Sequence, residues 1–215
     1  MIELYTAATP NGWKISILLE ELGIDYKVKP VNLSEDEQKT PEFLAMNPNG
    51  KIPVIRDTDN NNVIFESGAI MVYLAEKYQQ FFPKENKYEV LQWLMFQVGG
   101  IGPMMGQANV FVRYFPEKIQ VVIDRYQNEV KRLFGVMDKH LATRDYLAGD
   151  YSIADIANWS WVHIAYWPGI EITDFPHLNA WVERIAQRPA VIKGITIPNK
   201  VDAEAIKKAG QKLIK

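Results

Sequence analysis

The chain has 215 residues, with 24 basic and 26 acidic side chains and a formal net charge of −2. A hydrophobic fraction of 47% and a charged fraction of 23% are typical of a globular protein and exclude a disordered or collagen-like chain. The balanced charge argues against nucleic acid as the main partner, since phosphate binding needs a basic excess. The sequence contains no cysteine, which excludes disulfides, thiolate metal sites and a redox thiol of the protein itself.

Targeting, membrane and metal-binding signals are also missing from the sequence. The first residues carry no basic stretch followed by an apolar run, and no apolar stretch approaches the ~18 residues of a spanning helix. His140, His163 and His177 lack the spacing of metal ligands. We therefore expect a cytoplasmic protein with no metal and no membrane partner.

Residues 1–80 alternate strand-like and helix-like patterns. A short strand over residues 2–5 precedes a turn at residues 9–12, a helix that ends at Gly23, and a second strand over residues 26–29. This order predicts a β-α-β unit with parallel strands and a right-handed crossover.

A hairpin is predicted next in the chain. Apolar residues 52–55 and 63–65 flank a turn rich in aspartate and asparagine at residues 57–62. Ser67 is then predicted to cap a helix, because a serine hydroxyl accepts hydrogen bonds from the free NH groups of a first turn.

Beyond the first 80 residues every pattern indicates helix. Apolar residues spaced three or four apart over residues 119–141 predict one long amphipathic helix opened by Pro116. The glycines of residues 99–103 predict a bend, and Ser152 with Asp155 resembles a capping box.

The change of pattern divides the chain into two domains of different class. We predict an α/β domain over residues 1–80, an all-helical domain over residues 88–198, and a lysine-rich tail over residues 199–215. The predicted fold class is therefore α/β plus all-α.

Ile52 and Pro53 form the first candidate binding element. A proline that enters a strand donates no hydrogen bond to the sheet, so it lies at an edge, a first position or a tight turn. A cis bond here exposes the backbone of Ile52 to an extended peptide ligand, which pairs as an added strand. The alternative is a trans proline at a strand start, which is commoner for an isolated proline.

Two further elements carry polar groups at helix starts. Ser67, as a cap with free NH groups behind it, suits a carboxylate, and Glu66 suits a ligand ammonium. Thr9 and Asn11 place donors at the start of the first helix, where a thiolate benefits from the helix dipole. The alternative in each case is a structural cap with no ligand.

These motifs together resemble those of the glutathione transferases. Within that family they are similar to the Nu class and to the related fungal prion-forming nitrogen regulator. The resemblance is in order and spacing and covers residues 1 to about 195. Its motifs are Thr-Pro-Asn-Gly at residues 9–12, Asn-Pro-Asn-Gly-Lys-Ile-Pro at 47–53, Phe-Glu-Ser-Gly-Ala-Ile at 65–70 and Gly-Gly-Ile-Gly-Pro-Met-Met-Gly-Gln at 99–107. It implies a thioredoxin-like N-terminal domain and a helical-bundle C-terminal domain in a homodimer.

The resemblance also implies a glutathione site. It implies that Thr9 and Asn11 face the sulfur. It also implies that the backbone of Ile52, beside Pro53, pairs with the cysteinyl group. The remaining implied glutathione contacts are Gln38 and Lys51 on the glycyl side, Glu66 and Ser67 on the γ-glutamyl side, and Arg125 from the neighbouring subunit.

Because the protein has no cysteine, the thiolate for disulfide exchange must come from glutathione itself. We therefore expect a glutathione-dependent disulfide-bond oxidoreductase with weak transferase or peroxidase activity, acting on small disulfides or electrophiles. Two alternatives stay open: a conventional transferase that conjugates electrophiles, and a regulatory protein that binds glutathione without catalysis. Candidates for the second-substrate wall are Met104, Met105, Phe111, Tyr114, Tyr166 and Trp167.

Overall fold

The computed structural model describes residues 1–201 and 203–212, which form two compact units. The first unit combines Met1–Gln80 with the described part of Arg188–Ile206, and the second combines Phe81–Gln187 with residues 207–212. The helices are α1 (Pro10–Leu22), α2 (Pro41–Met46), α3 (Ser67–Tyr78), α4 (Lys87–Phe96), α5 (Gly102–Asn109), α6 (Gln120–Leu141), α7 (Ile153–Val162), α8 (Pro176–Ala186), α9 (Pro189–Gly194) and α10 (Ala203–Lys212).

The first unit contains a four-stranded mixed sheet of order β2-β1-β3-β4. Its strands are β1 (Ile2–Thr6), β2 (Tyr26–Pro30), β3 (Val54–Asp57) and β4 (Asn62–Phe65). Strands β1 and β2 pair in parallel, and β3 pairs antiparallel with both β1 and β4. The predicted parallel unit and the predicted hairpin are therefore both confirmed.

Helix α1 follows β1 directly and is almost entirely buried. The Thr9 side chain accepts a hydrogen bond from the Gly12 NH, and Pro10 occupies the first helical position, where a missing NH costs nothing. Gly23 ends the helix at φ +63°, in the left-handed conformation that glycine adopts without strain.

Gly12 is required by the close approach of α1 to the end of β1. A Cβ atom at residue 12 would collide with the carbonyl oxygen of Ala7 and would lie 2.5 Å from the Thr6 hydroxyl. Because only glycine fits this contact, the start of α1 is held in one position relative to the sheet.

The segment after residue 187 packs on α1, within the first unit, although the sequence pattern placed it with the helical domain. The Ser16 hydroxyl donates to the Gly194 carbonyl at 2.7 Å, and Arg188 forms two hydrogen bonds with the Glu21 carboxylate. The physical reason is that α1 presents apolar surface on more than one side, which the sheet alone does not cover.

Replacing Gly194 by alanine is expected to destabilise the protein by about 1–3 kcal/mol, the usual cost of overpacking. An added Cβ would lie 2.7 Å from the Cα of Ile17, and a backbone atom has no room to move away. Thermal unfolding followed by circular dichroism measures the effect.

Gly135→Ala is the matched control for this prediction. Gly135 lies within α6, and a Cβ there would lie 3.9 Å from the Phe175 ring, which is an ordinary contact distance. Alanine should therefore stabilise that helix slightly, because it has a higher helix propensity than glycine. Equal melting temperatures for the two variants would contradict the predicted close contact.

In the second unit, three helical predictions can be compared with the structure. Helix α6 begins at Gln120, so Pro116 lies before it and does not open it. The bend predicted at residues 99–103 falls on a π-helical turn, Gln97–Ile101, which joins α4 to α5. The capping box of Ser152 and Asp155 at the start of α7 is confirmed.

Asp155 is a buried acceptor at the centre of the second unit. Its carboxylate accepts hydrogen bonds from the NH groups of Leu147 and Ser152, both at 3.0 Å, and from the Trp181 indole at 2.9 Å. The Ser152 hydroxyl donates a fourth, at 3.3 Å. Asp155 therefore joins the loop before α7 to helix α8.

Helix α10 falls within the predicted tail and packs on the second unit through Gly210, where a Cβ would lie 2.5 Å from the Tyr114 ring. Residues 202 and 213–215 of the same tail lie outside the described residues. Within residues 1–201 and 203–212, no helix combines the length and the apolar character needed to cross a lipid bilayer.

Candidate active site

Three separate chain segments meet at one end of the sheet in the first unit. The register places Tyr5 of β1, Val54 of β3 and Phe65 of β4 side by side. The chain leaves β1 toward Thr9 and Asn11, enters β3 from Ile52 and Pro53, and leaves β4 into Glu66 and Ser67. Residues far apart in sequence therefore lie at the same sheet edge.

The backbone of Ile52 is available for pairing at this edge. The Ile52–Pro53 peptide bond is cis, which decides between the two alternatives that the sequence left open. The preceding Lys51 carbonyl accepts a hydrogen bond from the buried Asn47 amide at 2.7 Å, which fixes the turn. The NH and carbonyl of Ile52 make no hydrogen bond to any other residue that the structure describes. An extended ligand pairs with such backbone groups when it adds as a strand.

Glu66 lies in an unusual backbone conformation just before α3. Its φ of +68° and ψ of +116° fall outside the regions that non-glycine residues normally adopt. Strained residues of this kind concentrate at ligand sites, where the surrounding structure holds them. The Glu66 carboxylate is exposed and does not cap the helix.

The prediction that Ser67 is the cap of α3 is wrong by one residue. Glu66 occupies the cap position and Ser67 is the first helical residue. The Ser67 hydroxyl is instead an acceptor for the Lys14 ammonium, at 3.2 Å. Since a first turn leaves its NH groups without intrahelical partners, the start of α3 still offers donors to an anion.

Lys14 is a site residue that sequence reasoning missed. Its side chain lies in α1, is only 2% exposed and reaches Ser67. Burial lowers the pKa of Lys14 to about 7, while the negative charge of Glu66 acts in the opposite direction. The signal in the sequence is a single lysine among apolar residues, three and four positions before Ile17 and Leu18.

Thr9 and Asn11 lie at the start of α1, as predicted. Thr9, and not Asn11, is the cap: its hydroxyl oxygen accepts from the Gly12 NH at 3.3 Å. Asn11 is the second residue of the helix and is half-buried. Both side chains therefore stand at the positive end of the helix dipole, where an anion is stabilised.

Gln38 and Lys51 flank the turn that precedes Ile52. Gly50 adopts φ +60°, and a Cβ there would lie 2.9 Å from the Gln38 carbonyl oxygen, so the two segments touch. The Gln38 side-chain oxygen is buried and accepts no hydrogen bond within residues 1–201 and 203–212. Lys51 is exposed.

The remaining predicted residues belong to the second unit. Arg125 lies on α6 with its side chain 67% exposed, 3.8 Å from the Glu129 carboxylate. Met105 and Tyr114 are buried in that unit's core, while Tyr166 is 71% exposed. The other wall candidates, Met104, Phe111 and Trp167, are half-buried.

Two of the three histidines make structural contacts. A ring nitrogen of His140 lies 2.8 Å from the Leu147 carbonyl oxygen, and one of His163 lies 2.8 Å from that of Trp159. Burial lowers the pKa of His163 to about 4, which keeps its ring neutral. The described part of the chain contains no group of three or more acidic or histidine side chains that could hold a metal ion.

Comparison with known families identifies the chain. Residues 1–76 match the family Glutathione S-transferase, N-terminal domain, and residues 88–189 match Glutathione S-transferase, C-terminal domain. The chain therefore belongs to the glutathione S-transferase family, as the sequence motifs predict, and its sheet unit and helical unit have the predicted fold classes.

Relatives and solved structures agree with this assignment. The chain is 46% identical over 198 residues to the disulfide-bond oxidoreductase YfcG of Escherichia coli, covering 88% of this chain and 92% of YfcG. It resembles a Pseudomonas fluorescens family member solved with two glutathione bound, at 44% identity and a TM-score of 0.86, over 92% and 93% of the two chains. A Pseudomonas putida glutathione transferase with one glutathione disulfide bound per subunit gives 41% identity, a TM-score of 0.86 and 92% coverage of each chain.

Proposed function

We propose that the protein is a glutathione-dependent disulfide-bond oxidoreductase that uses bound glutathione thiols in place of protein cysteines. The observation that carries the proposal is the convergence of three segments at one sheet edge, in a chain with no cysteine. That edge combines a free peptide backbone, a helix start suited to a carboxylate, and donors suited to a thiolate. The relatives that bind glutathione or reduce disulfides support the same reading.

Each part of glutathione has a matching group at this edge. The cysteinyl backbone pairs with the NH and carbonyl of Ile52 beside Pro53. The γ-glutamyl carboxylate binds at the start of α3 near Ser67, and its ammonium binds the Glu66 carboxylate. The glycyl carboxylate, at the other end of glutathione, lies near Gln38 and Lys51.

Thr9 and Asn11 hold the sulfur of the bound glutathione. Their donors and the start of α1 favour the thiolate over the thiol, which lowers the thiol pKa toward neutral pH. This thiolate attacks one sulfur of a substrate disulfide, forms a mixed disulfide and releases the other half as a thiolate, which takes up a proton. A second glutathione attacks the mixed disulfide, releasing the second substrate thiol and glutathione disulfide.

A homodimer in the cytoplasm is part of the same proposal. The Pseudomonas putida relative is described per subunit, and the exposed Arg125 is placed by the family resemblance against the neighbouring subunit's ligand. Glutathione serves as a reductant in reducing compartments, which the absence of cysteine also fits. Sedimentation at working concentration tests the dimer, and a monomer of 24.7 kDa would contradict the role of Arg125.

The proposal predicts that 2-hydroxyethyl disulfide is reduced by glutathione faster than chlorodinitrobenzene is conjugated. Both reactions use the thiolate that Thr9 and Asn11 stabilise, but only disulfide exchange uses a second glutathione, and a relative was solved with two glutathione bound. The first activity is measured by coupling to glutathione reductase. The second is measured directly, at equal enzyme and glutathione concentrations.

The opposite ratio would assign the protein to conjugating transferases. Glutathione binding in calorimetry with neither activity would instead identify a regulatory protein. Either result contradicts the proposed oxidoreductase.

A further inference from the structure

A buried ammonium lies directly beneath the start of α3. Lys14 projects from α1, its side chain is 2% exposed, and its Nζ lies 3.2 Å from the Ser67 hydroxyl oxygen. Lys14 therefore extends from the helix that carries Thr9 and Asn11 to the first residue of α3.

The direction of this hydrogen bond determines what Ser67 offers to a ligand. An ammonium only donates, so Ser67 accepts from Lys14 and its own hydroxyl hydrogen is directed elsewhere. No acceptor for that hydrogen is present among residues 1–201 and 203–212. A hydroxyl that accepts from a cation is also a stronger donor, because the bonds polarise one another. Ser67 is therefore prepared to donate to an anion outside the chain.

The charges around Lys14 favour the same ligand. The NH groups at the start of α3 carry partial positive charge, and the protonated form of Lys14 adds to that charge. Glu66 is the neighbouring carboxylate whose charge acts on Lys14. A ligand carboxylate at the start of α3 favours the charged form of Lys14.

We propose that Lys14 is a positioning residue that recognises the α-carboxylate of the γ-glutamyl group through Ser67. The inference rests on the proposed glutathione site and names the feature of the ligand that the site selects. Lys14 orients the Ser67 hydroxyl toward the carboxylate and supplies the positive charge behind it. Lys14 therefore does not increase the affinity for a thiol peptide that lacks this carboxylate.

The test compares two ligands on four proteins by titration calorimetry. The ligands are glutathione and 4-aminobutyryl-cysteinyl-glycine, which lacks only the γ-glutamyl α-carboxylate. The proteins are the wild type, Lys14→Met, Lys14→Arg and Lys131→Met. Lys131 is exposed on α6 and controls for the loss of one positive charge.

Lys14→Met is expected to weaken glutathione binding by about 10–100-fold, as the loss of a charged hydrogen-bonding partner does. Binding of the truncated ligand should change less than 3-fold, and Lys14→Arg should recover part of the difference. In turnover, Lys14→Met should raise the KM for glutathione and leave kcat at saturating glutathione nearly unchanged. Lys131→Met should affect neither ligand.

Equal losses for the two ligands in Lys14→Met would overturn the inference and leave Lys14 with a structural role. If Lys14→Met does not fold, Lys14→Gln, which keeps a hydrogen-bond donor but carries no charge, gives the same comparison: a loss for glutathione alone supports the inference, and equal losses overturn it. A wild type that binds neither ligand contradicts the proposed function itself, which distinguishes the two failures.

Discussion

Replacing Asp155 by alanine should lower the free energy of unfolding by about 3–5 kcal/mol, the upper range for single substitutions. The carboxylate accepts four hydrogen bonds, from the NH groups of Leu147 and Ser152, the Ser152 hydroxyl and the Trp181 indole. Alanine leaves these donors without partners inside a water-free core, and each buried unpaired donor is costly. Urea denaturation followed by tryptophan fluorescence measures the loss.

Asp150→Ala is the control, because Asp150 is exposed. This substitution should change the free energy of unfolding by less than about 0.5 kcal/mol, as surface substitutions usually do.

The pH dependence of the Asp155→Ala loss provides a second check. Burial raises the pKa of Asp155 to about 6, above the usual 3.8 of an aspartate, although its hydrogen-bond donors favour the ionised form. Since the native state then binds more protons between these values, the Asp155→Ala loss should be larger at pH 5 than at pH 7. A loss that is larger at pH 7 than at pH 5 would contradict the raised pKa.

Replacing Asn11 by alanine is expected to lower kcat/KM for disulfide reduction by about 10–100-fold, the contribution of one or two donors to a reacting anion. Asn11 is the second residue of α1, so its amide and the helix dipole act on the same sulfur in the proposed complex. Without the amide the pKa of bound glutathione thiol should rise. The ultraviolet absorbance of the bound thiolate, titrated against pH, measures that rise.

Asn128→Ala serves as the control, since Asn128 is an exposed asparagine on α6 of the second unit. The Thr9→Ala, Asn11→Ala double variant should lose more activity than Asn11→Ala alone. Full reductase turnover in the double variant would falsify the assignment of both residues to the sulfur.

The elements that sequence reasoning predicted well are those set by local chemistry. Gly23 ends α1 because a left-handed residue must follow, and the asparagine-rich turn before Val63 fixes the hairpin. The capping box at Ser152 is a pattern of two residues three positions apart, readable without any tertiary information. The position of Pro53 at the entry to a strand suggested a cis bond but left a trans bond open, and the structure shows the cis bond.

The features that sequence reasoning missed depend on contacts between distant segments. Helix α3 begins at Ser67 itself, after Glu66 in its unusual backbone conformation, and the Ser67 hydroxyl accepts from Lys14, 53 positions earlier. The placement of residues after 187 on α1 depends on a glycine that fits against Ile17, which no local pattern indicates. Of the candidate site, the three converging segments were found, while the buried cation connecting two of them was not.

The packing of α9 on α1 has a consequence for the order in which the protein is made. Domains begin to fold while the ribosome is still synthesising the chain, and the sheet segments emerge first. Gly194 packs against Ile17 of α1, and its carbonyl accepts from the Ser16 hydroxyl. This face of α1 is not covered until nearly the whole chain has been translated. The helix that carries Asn11 therefore acquires its final support late, and a nascent chain ending at residue 187 exposes apolar surface to chaperones.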